Sequence, residues 1–282
     1  MKLLRWGLAA PVVAYAAACV FVYFYQERLL FFPSPVTAAE LATRAKKGRF
    51  VEWRDSHNRP IGWKSTEGDP AHALLVCHGN GGFALETRYK DMSRSKFFQL
   101  CQLEYPGYGQ RPGTPSAKAL LFAALDAIDT LHAEDPSRRI WLVGESMGTG
   151  TVCAVAAARP GLVAGIVLLV PFDTLGHAAW THVPWLPVSL LLRNEFNSVK
   201  NLGAYRGPVA FVLAEKDEVV PPRLGHRLYD SFAGPKRLWL IPGIGHGDRD
   251  DMLRHWPEYE SWLLERSSNL PNKIPAPAPA PH

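Results

Sequence analysis

The sequence predicts an α/β protein with a mostly parallel sheet of eight strands, helices on both faces and a small helical cap. The chain has 282 residues, of which 47% are hydrophobic, enough for one large domain with a full core. From residue 50 onward, apolar runs of strand length alternate with segments of helical periodicity. Several of these runs are continuously apolar, as expected for parallel strands that are covered on both faces.

Strand candidates and helical patterns alternate along the chain from residue 50. The strand candidates are residues 50–55, 60–65, 73–77, 97–103, 140–143, 165–170, 208–213 and 236–241. The clearest helix covers residues 116–132, where Leu120, Ala124 and Ile128 share one face. In such sheets the active site lies at the carboxyl ends of the strands.

Residues 171–205 interrupt this alternation. The segment is too long for a simple loop and is rich in tryptophan and leucine. It predicts a small helical cap inserted after the sixth strand. The alternative is an ordinary amphipathic crossover helix with a long lead-in.

The N-terminus predicts a single-pass membrane anchor over residues 1–30, with a linker over residues 31–49. Residues 6–25 contain no charged side chain, and about 20 apolar residues suffice to cross a bilayer core. A signal peptide cleaved near Cys19 is the alternative. The apolar run continues beyond that position, which favours a retained anchor. Positive charge on both sides of the run leaves its orientation open.

The composition of the C-terminus, the net charge and the cysteine spacing limit the functions that the sequence allows. Residues 267–282 are rich in proline and alanine and predict a disordered tail. The net charge of +5 is scattered, without a basic stripe or binding motif, so no nucleic-acid partner is expected. The four cysteines fit no zinc or redox spacing, which favours free buried thiols. Nothing in the sequence identifies a protein partner.

The strongest functional motif is the pentapeptide G-E-S-M-G at residues 144–148, which contains Ser146. It directly follows a predicted strand and precedes a helix of small residues over 149–159. A serine at a tight strand-to-helix turn has its hydroxyl exposed at the edge of the sheet, which suits a nucleophile. The alternative is an ordinary strand–turn–helix with an inert serine.

A nucleophilic serine needs a base and an orienting acid. His246 follows the last predicted strand in a glycine-rich loop, which is the best setting among the ten histidines. Asp217 follows the preceding strand and is the acid candidate. Its competitors are Glu215, Glu218 and, most seriously, Asp173, which follows the sixth strand. A structural N-cap role is the alternative for either aspartate.

An oxyanion hole is predicted in the loop after the strand over residues 73–77. That loop reads H-G-N-G-G, and its glycine-rich backbone can direct N–H groups at a developing negative charge. The expected donors are the backbone amides of Asn80 and Met147. The residues expected to support the loop are His78, Gly79, Gly81 and Gly82. A simple turn is the alternative, and no phosphate-binding motif follows.

The motifs occur in the order oxyanion loop, serine, acid, histidine, and with them the chain resembles the α/β-hydrolase superfamily. The resemblance covers residues 50–266. It is closest to a membrane-anchored branch that includes serine-aminopeptidase-like hydrolases, monoglyceride-lipase-like enzymes and protein depalmitoylases. Residues 26–33, which follow the apolar segment, and Y-P-G-Y-G at residues 105–109 are also similar to that branch. The resemblance implies the α/β-hydrolase fold and acyl-transfer chemistry.

The sequence therefore predicts a membrane-anchored serine hydrolase that cleaves acyl esters or thioesters through Ser146, Asp217 and His246, with an acyl-enzyme intermediate. The expected substrate is a small-molecule or lipid acyl compound, and no metal or cofactor is needed. Two alternatives stay open. One is an aminopeptidase-like amide hydrolase, which would need acidic groups in the cap, where Asp173 and Glu195 are the main ones. The other is a non-catalytic protein that keeps the fold.

Overall fold

A computed structural model describes residues 2–86, 89, 91–193 and 195–268. Its strands form one sheet of eight. They are β1 (Phe50–Arg54), β2 (Pro60–Ser65), β3 (His72–Cys77), β4 (Gln99–Leu103), β5 (Arg139–Glu145), β6 (Val163–Leu169), β7 (Val209–Ala214) and β8 (Lys236–Ile241). All eight predicted strands are present, with ends that differ by at most two residues.

The sheet is mostly parallel, as predicted. Its order is β1-β2-β4-β3-β5-β6-β7-β8, and only β2 is antiparallel to its neighbours. The carboxyl ends of β3, β5, β7 and β8 therefore lie at one edge of the sheet. Cys77 at the end of β3 pairs with Gly144 of β5, and Ala214 of β7 pairs with Ile241 of β8. The loops with the candidate site residues all leave from this edge.

The helices lie between the strands and at both termini. They are α1 (Lys2–Leu30), α2 (Ala38–Gly48), α3 (Ala117–Glu134), α4 (Met147–Ala158), α5 (Leu175–His182), α6 (Val188–Leu191), α7 (Ser198–Leu202), α8 (Pro222–Ser231), α9 (Arg249–Leu253) and α10 (Trp256–Ser267). A 3₁₀ turn covers Met92–Arg94.

The sheet has a hydrophobic cluster on each face. On one face, Leu120 and Ile128 of α3 pack with Val152 of α4 and are fully buried. On the other face, Trp256 of α10 belongs to a second cluster with Trp141 of β5. Burying a leucine- or phenylalanine-sized side chain contributes about 1.5 to 3 kcal/mol, so both layers stabilise the sheet.

The predicted linker over residues 31–49 is not an extended connection, because it contains helix α2. Thr37 begins this helix with a capping box: its side chain accepts the Glu40 N–H, and the Glu40 carboxylate accepts the Thr37 N–H. Leu41 and Ala45 are buried in a small cluster with Phe83. The capping box corresponds to the T-x-x-E pattern at residues 37–40 of the sequence, which is typical of a helix start.

The predicted membrane anchor is not confirmed. Within the part of the chain that the structure describes, no helix is long and apolar enough to cross a membrane. The C-terminal part of helix α1 contacts α6, where the Gln26 side chain donates to Leu191 O at 3.0 Å.

The segment between β6 and β7, predicted as a cap, contains the three short helices α5, α6 and α7. Helices α5 and α6 contact each other, whereas α7 packs against α4 and α8. Thr174 and Asn197 form a β-bridge that closes the segment at its base. The segment is therefore a set of short helices rather than one long crossover helix.

The four cysteines are free, as predicted. Burial raises the pKa of the Cys77, Cys101 and Cys153 thiols to about 12, so these thiols stay protonated and unreactive at neutral pH. Of the predicted tail, Ser267 ends α10, and residues 269–282 lie outside the described residues.

Candidate active site

Ser146 occupies a strained turn between β5 and α4. Its backbone has φ 49° and ψ −114°, in a region that non-glycine residues rarely adopt, at a cost of about 1 to 3 kcal/mol. The Ser146 N–H donates a hydrogen bond to Leu169 O at 2.9 Å, which holds the turn against β6. The neighbouring strand therefore stabilises a backbone conformation at Ser146 that an unfolded chain would rarely adopt.

The glycines on either side of Ser146 are required by crowding. A Cβ atom on Gly148 would lie 2.1 Å from Cys77 O and 2.8 Å from His78 O. A Cβ atom on Gly144 would lie 2.6 Å from Gly148 O. The turn thus brings α4 so close to the end of β3 that only glycine fits.

We expect Gly148→Ala to lower the free energy of unfolding by about 3 kcal/mol, because backbone atoms of β3 and α4 must separate to admit the new methyl group. Gly247→Ala is the matched control, since a Cβ atom there meets nothing within 4 Å. Urea unfolding of both variants measures the difference. Equal midpoints would show that the close approach at Gly148 is not needed.

His246 and Asp217 meet at the edge of the sheet although they come from different loops. The Nδ1 atom of His246 lies 2.7 Å from Oδ2 of Asp217, and their side chains are 12% and 1% exposed. When Nδ1–H donates to this carboxylate, Nε2 is left as a proton acceptor. This is the arrangement that a general base of a serine nucleophile requires.

The Asp217 carboxylate is itself held in place. Its Oδ1 atom accepts the N–H groups of Val219 at 2.9 Å and Val220 at 2.7 Å. The two loops are also joined through the backbone, where Lys216 N–H donates to Ile244 O at 2.8 Å. The orientation of the imidazole is therefore fixed by the loop after β7.

The three competing acids lie elsewhere. Asp173 is buried, but its carboxylate pairs with His177 at 2.7 Å and with Arg227 at 3.4 Å. The exposed Glu215 accepts the Gly243 N–H at 2.8 Å, and Glu218 is exposed. Of the four acids considered, the structure places Asp217 against His246.

The loop after β3 brings Asn80 to the same cavity as Ser146, Met147 and His246. Met147 is the first residue of α4, where backbone N–H groups lack partners within the helix. Such a helix start also favours negative charge. The predicted oxyanion donors therefore lie on two elements that border the cavity beside the serine.

The conformation of this loop is supported by buried polar side chains. His78 is 1% exposed; its Nδ1 atom lies 2.8 Å from Gly79 O and its Nε2 atom lies 3.3 Å from Glu104 Oε1. Gly81 has φ +75°, which favours glycine. A Cβ atom on Gly82 would lie 3.2 Å from the Glu86 carboxylate, so the loop is also tightly packed there.

Sequence reasoning missed one charged group in the site. Glu145 precedes the serine and is fully buried; its carboxylate contacts the Arg249 Nε atom and accepts the Tyr89 hydroxyl at 2.6 Å. Arg249 also lines the cavity. A glutamate next to Ser146 in the strand-to-helix turn indicates that a cationic partner exists, because burying an unpaired carboxylate is costly. The sequence does not indicate that Arg249 is this partner.

The cavity above Ser146 has a volume of about 650 Å³. Its walls come from the end of α1, from helices α5 and α6 of the cap, and from the loops after β3, β5, β7 and β8. Apart from Gln26, Asn80, Ser146, His182, His246 and Arg249, the lining residues are apolar. The size and character suit an organic ligand with an apolar body.

Comparison with known proteins agrees with the observed fold. A family model described as the alpha/beta hydrolase fold matches residues 72–188. An uncharacterized protein of Mycobacterium tuberculosis, Rv2307c, is 34% identical over 253 residues, which cover 85% of this chain and 89% of that protein. A Saccharomyces cerevisiae protein named as an uncharacterized membrane protein, YNL320W, is 25% identical and covers 94% of this chain and 97% of its own length.

Some of the relatives and solved structures carry functional names. The lysophosphatidylserine lipase ABHD12 of Macaca fascicularis is 26% identical over 66% of this chain, which spans about half (52%) of that lipase. The Pyrococcus furiosus esterase Pf2001 superposes with a TM-score of 0.64 over 84% of this chain and 99% of its own. At 15% identity, that likeness shows a common fold.

Proposed function

Because the chain belongs to the α/β-hydrolase family, we propose that it is a serine hydrolase that cleaves esters or thioesters of apolar acyl groups. One observation carries the proposal: His246, paired with Asp217 at 2.7 Å, borders the same apolar cavity as Ser146. The names of the related lipase and of the esterase with the same fold are consistent with it.

In the proposed reaction, the Ser146 Oγ atom attacks the acyl carbon while His246 Nε2 accepts the proton of the Ser146 hydroxyl. Asp217 stabilises the imidazolium that forms. The backbone N–H groups of Asn80 and Met147 donate to the oxyanion. The imidazolium then protonates the leaving oxygen or sulfur as its bond to the acyl carbon breaks. Water attacks the acyl-enzyme by the same route and releases the acid and free Ser146.

The lining of the cavity favours an apolar acyl group over a peptide amine. An aminopeptidase would need a carboxylate near the substrate amine, and no aspartate or glutamate is among the described residues that line this cavity. Asp173 pairs with His177 instead, and Glu195 lines a second cavity on the other side of the cap. The amide-hydrolase alternative therefore has no observation in its favour.

Turnover of two substrate classes tests the proposal. We expect the purified protein to hydrolyse p-nitrophenyl acyl esters and to react with a fluorophosphonate probe, because both use an activated serine. Aminoacyl-p-nitroanilides are expected to be hydrolysed at least about tenfold more slowly, since the cavity lacks a partner for the amine. Faster turnover of the anilides would contradict the ester proposal, and absence of both activities and of labelling would contradict hydrolase function.

A further inference from the structure

We propose that the C-terminal half of α1 forms part of the active site. This half of the helix positions the oxyanion loop through Asn80 and sets the length of the acyl chain that the cavity accepts. The inference rests on the proposed function, because it assigns a role in that same site. It concerns the segment whose composition alone pointed to a membrane anchor. The described contacts give this segment a second role inside the protein.

The first contact joins α1 to the oxyanion loop through the side chain of Asn80. Its Nδ2 atom donates to Leu30 O at 2.5 Å, and its Oδ1 atom accepts the Phe32 N–H at 2.9 Å. Oδ1 also accepts the Tyr108 hydroxyl at 2.8 Å. Burial raises the pKa of Tyr108 above its usual value, so the phenol remains a donor at neutral and mildly basic pH. Asn80 thus bonds to both sides of the chain turn that ends α1.

A second bond in the same region reinforces the connection. The Ser34 hydroxyl donates to Gly81 O at 2.5 Å, directly beside Asn80. The oxyanion loop is therefore held by residues on both sides of Pro33. Since the Asn80 backbone N–H is the proposed oxyanion donor, the position of α1 determines where that N–H points. An oxyanion donor acts only when it is within about 3 Å of the developing charge.

The third contact joins α1 to the cap through Gln26, which is only 3% exposed. Its Nε2 atom donates to Tyr23 O at 2.9 Å and to Leu191 O at 3.0 Å, and its Oε1 atom accepts the Arg193 N–H at 2.7 Å. Two of these partners lie at the end of α6. Gln26 therefore fixes the distance between α1 and the cap, and with it the width of the cavity between them.

The α1 residues that face this space are apolar. Val22, Leu29 and Leu30 line the cavity opposite cap residues such as Leu186 and Leu191. An acyl chain that extends from Ser146 between α1 and the cap would contact these side chains. The number of methylenes that fit there depends on the size of the side chains on α1, because the acyl chain and these side chains share the space between α1 and the cap.

Asn80→Ala tests the positioning role. We expect kcat for p-nitrophenyl butyrate to fall by about 100-fold, because a displacement of about 1 Å at a catalytic group costs that much. KM is expected to change by less than about threefold, since the short acyl group is bound elsewhere in the cavity. A loss of stability alone would lower the midpoint of thermal unfolding without lowering kcat of the folded protein. An unchanged kcat would overturn the positioning role.

Gln26→Met is the second variant, chosen because it keeps the volume of the side chain and removes only its hydrogen bonds. We expect it to raise KM for p-nitrophenyl laurate by about tenfold while KM for the butyrate stays the same, because the wall of the cavity loses its fixed position. If the KM for the laurate is the same in the variant as in the wild type, and the KM for the butyrate is also unchanged, the role of Gln26 is overturned.

Val22→Trp tests the chain-length role, and Phe24→Trp is its matched control. Phe24 lies on the same helix, is 65% exposed and does not line the cavity. We expect Val22→Trp to lower the ratio of kcat/KM for laurate to that for butyrate by about tenfold, because the indole occupies the space of several methylenes. The control is expected to keep the wild-type ratio. An unchanged ratio in Val22→Trp would overturn the chain-length role.

Calorimetric binding of free lauric and hexanoic acid separates this inference from the proposed function, because it needs no turnover. Val22→Trp is expected to weaken lauric acid binding by about tenfold and to spare hexanoic acid. This result in a protein that lacks esterase activity would retain the chain-length role of α1 and contradict the proposed hydrolysis. An active wild type whose Val22→Trp variant binds both acids normally would overturn the chain-length role alone.

Discussion

Replacing Ser146 with alanine is expected to lower ester turnover by about 10⁶-fold, the largest effect of any single change in this protein. The variant has no oxygen to attack the acyl carbon, so only the binding and oxyanion contributions would remain. Fluorophosphonate labelling is expected to disappear with turnover. Both are measured on the purified variant against the wild type.

The fold is expected to survive this substitution, since the turn is held by backbone hydrogen bonds, including Ser146 N–H to Leu169 O. Circular dichroism and thermal unfolding check this point. Ser198→Ala is the matched control, because Ser198 is a buried serine that does not line the cavity. Labelling of Ser146→Ala at the wild-type rate would mean that another residue is the nucleophile.

Asp217→Asn is expected to lower kcat by about 10⁴-fold with little change in KM. The asparagine amide can present an N–H group to Nδ1 of His246, which then carries its proton on Nε2. In that tautomer the imidazole cannot accept the serine proton. The loop is expected to stay folded, because the asparagine oxygen can still accept the N–H groups of Val219 and Val220.

The matched control for this change is Asp173→Asn, at the buried acid that competed with Asp217 in the sequence. Asp173 pairs with His177 and Arg227, away from His246. The kcat of the Asp173→Asn variant is therefore expected to stay within about threefold of the wild-type value. Steady-state kinetics of the two variants decide between the acids. A larger loss of kcat in Asp173→Asn would transfer the role of orienting acid to Asp173.

Local signals predicted much of the fold. Most strands appear in the sequence as short apolar runs bounded by turn residues, and all eight predicted strands occur in one mostly parallel sheet. The position of the site at one edge follows from a general rule, because parallel strands joined by helices bring their carboxyl ends to the same edge. His246 and Asp217 could be selected for this reason, since both stand directly after a strand.

The parts that the sequence missed involve contacts between distant segments. Gln26 bonds to Leu191 O and to the Arg193 N–H, more than 160 residues away, and no periodicity in α1 indicates this. Arg249 likewise reaches Glu145 from another loop. An apolar helix that covers a cavity and one that enters a bilayer have similar compositions, because both bury apolar side chains away from water.

The sequence by itself determined the fold class, the strand-to-helix turn at Ser146 and the loops that carry the oxyanion, acid and base candidates. These features are indicated by turn glycines and by apolar runs, which are patterns within a few neighbouring residues. Only the tertiary structure decided that Asp217 rather than Asp173 meets His246, and that α1 forms a wall of the cavity. Those outcomes depend on which loops and helices the folded sheet brings within hydrogen-bonding distance, about 3 Å, and the linear order of residues does not specify that distance.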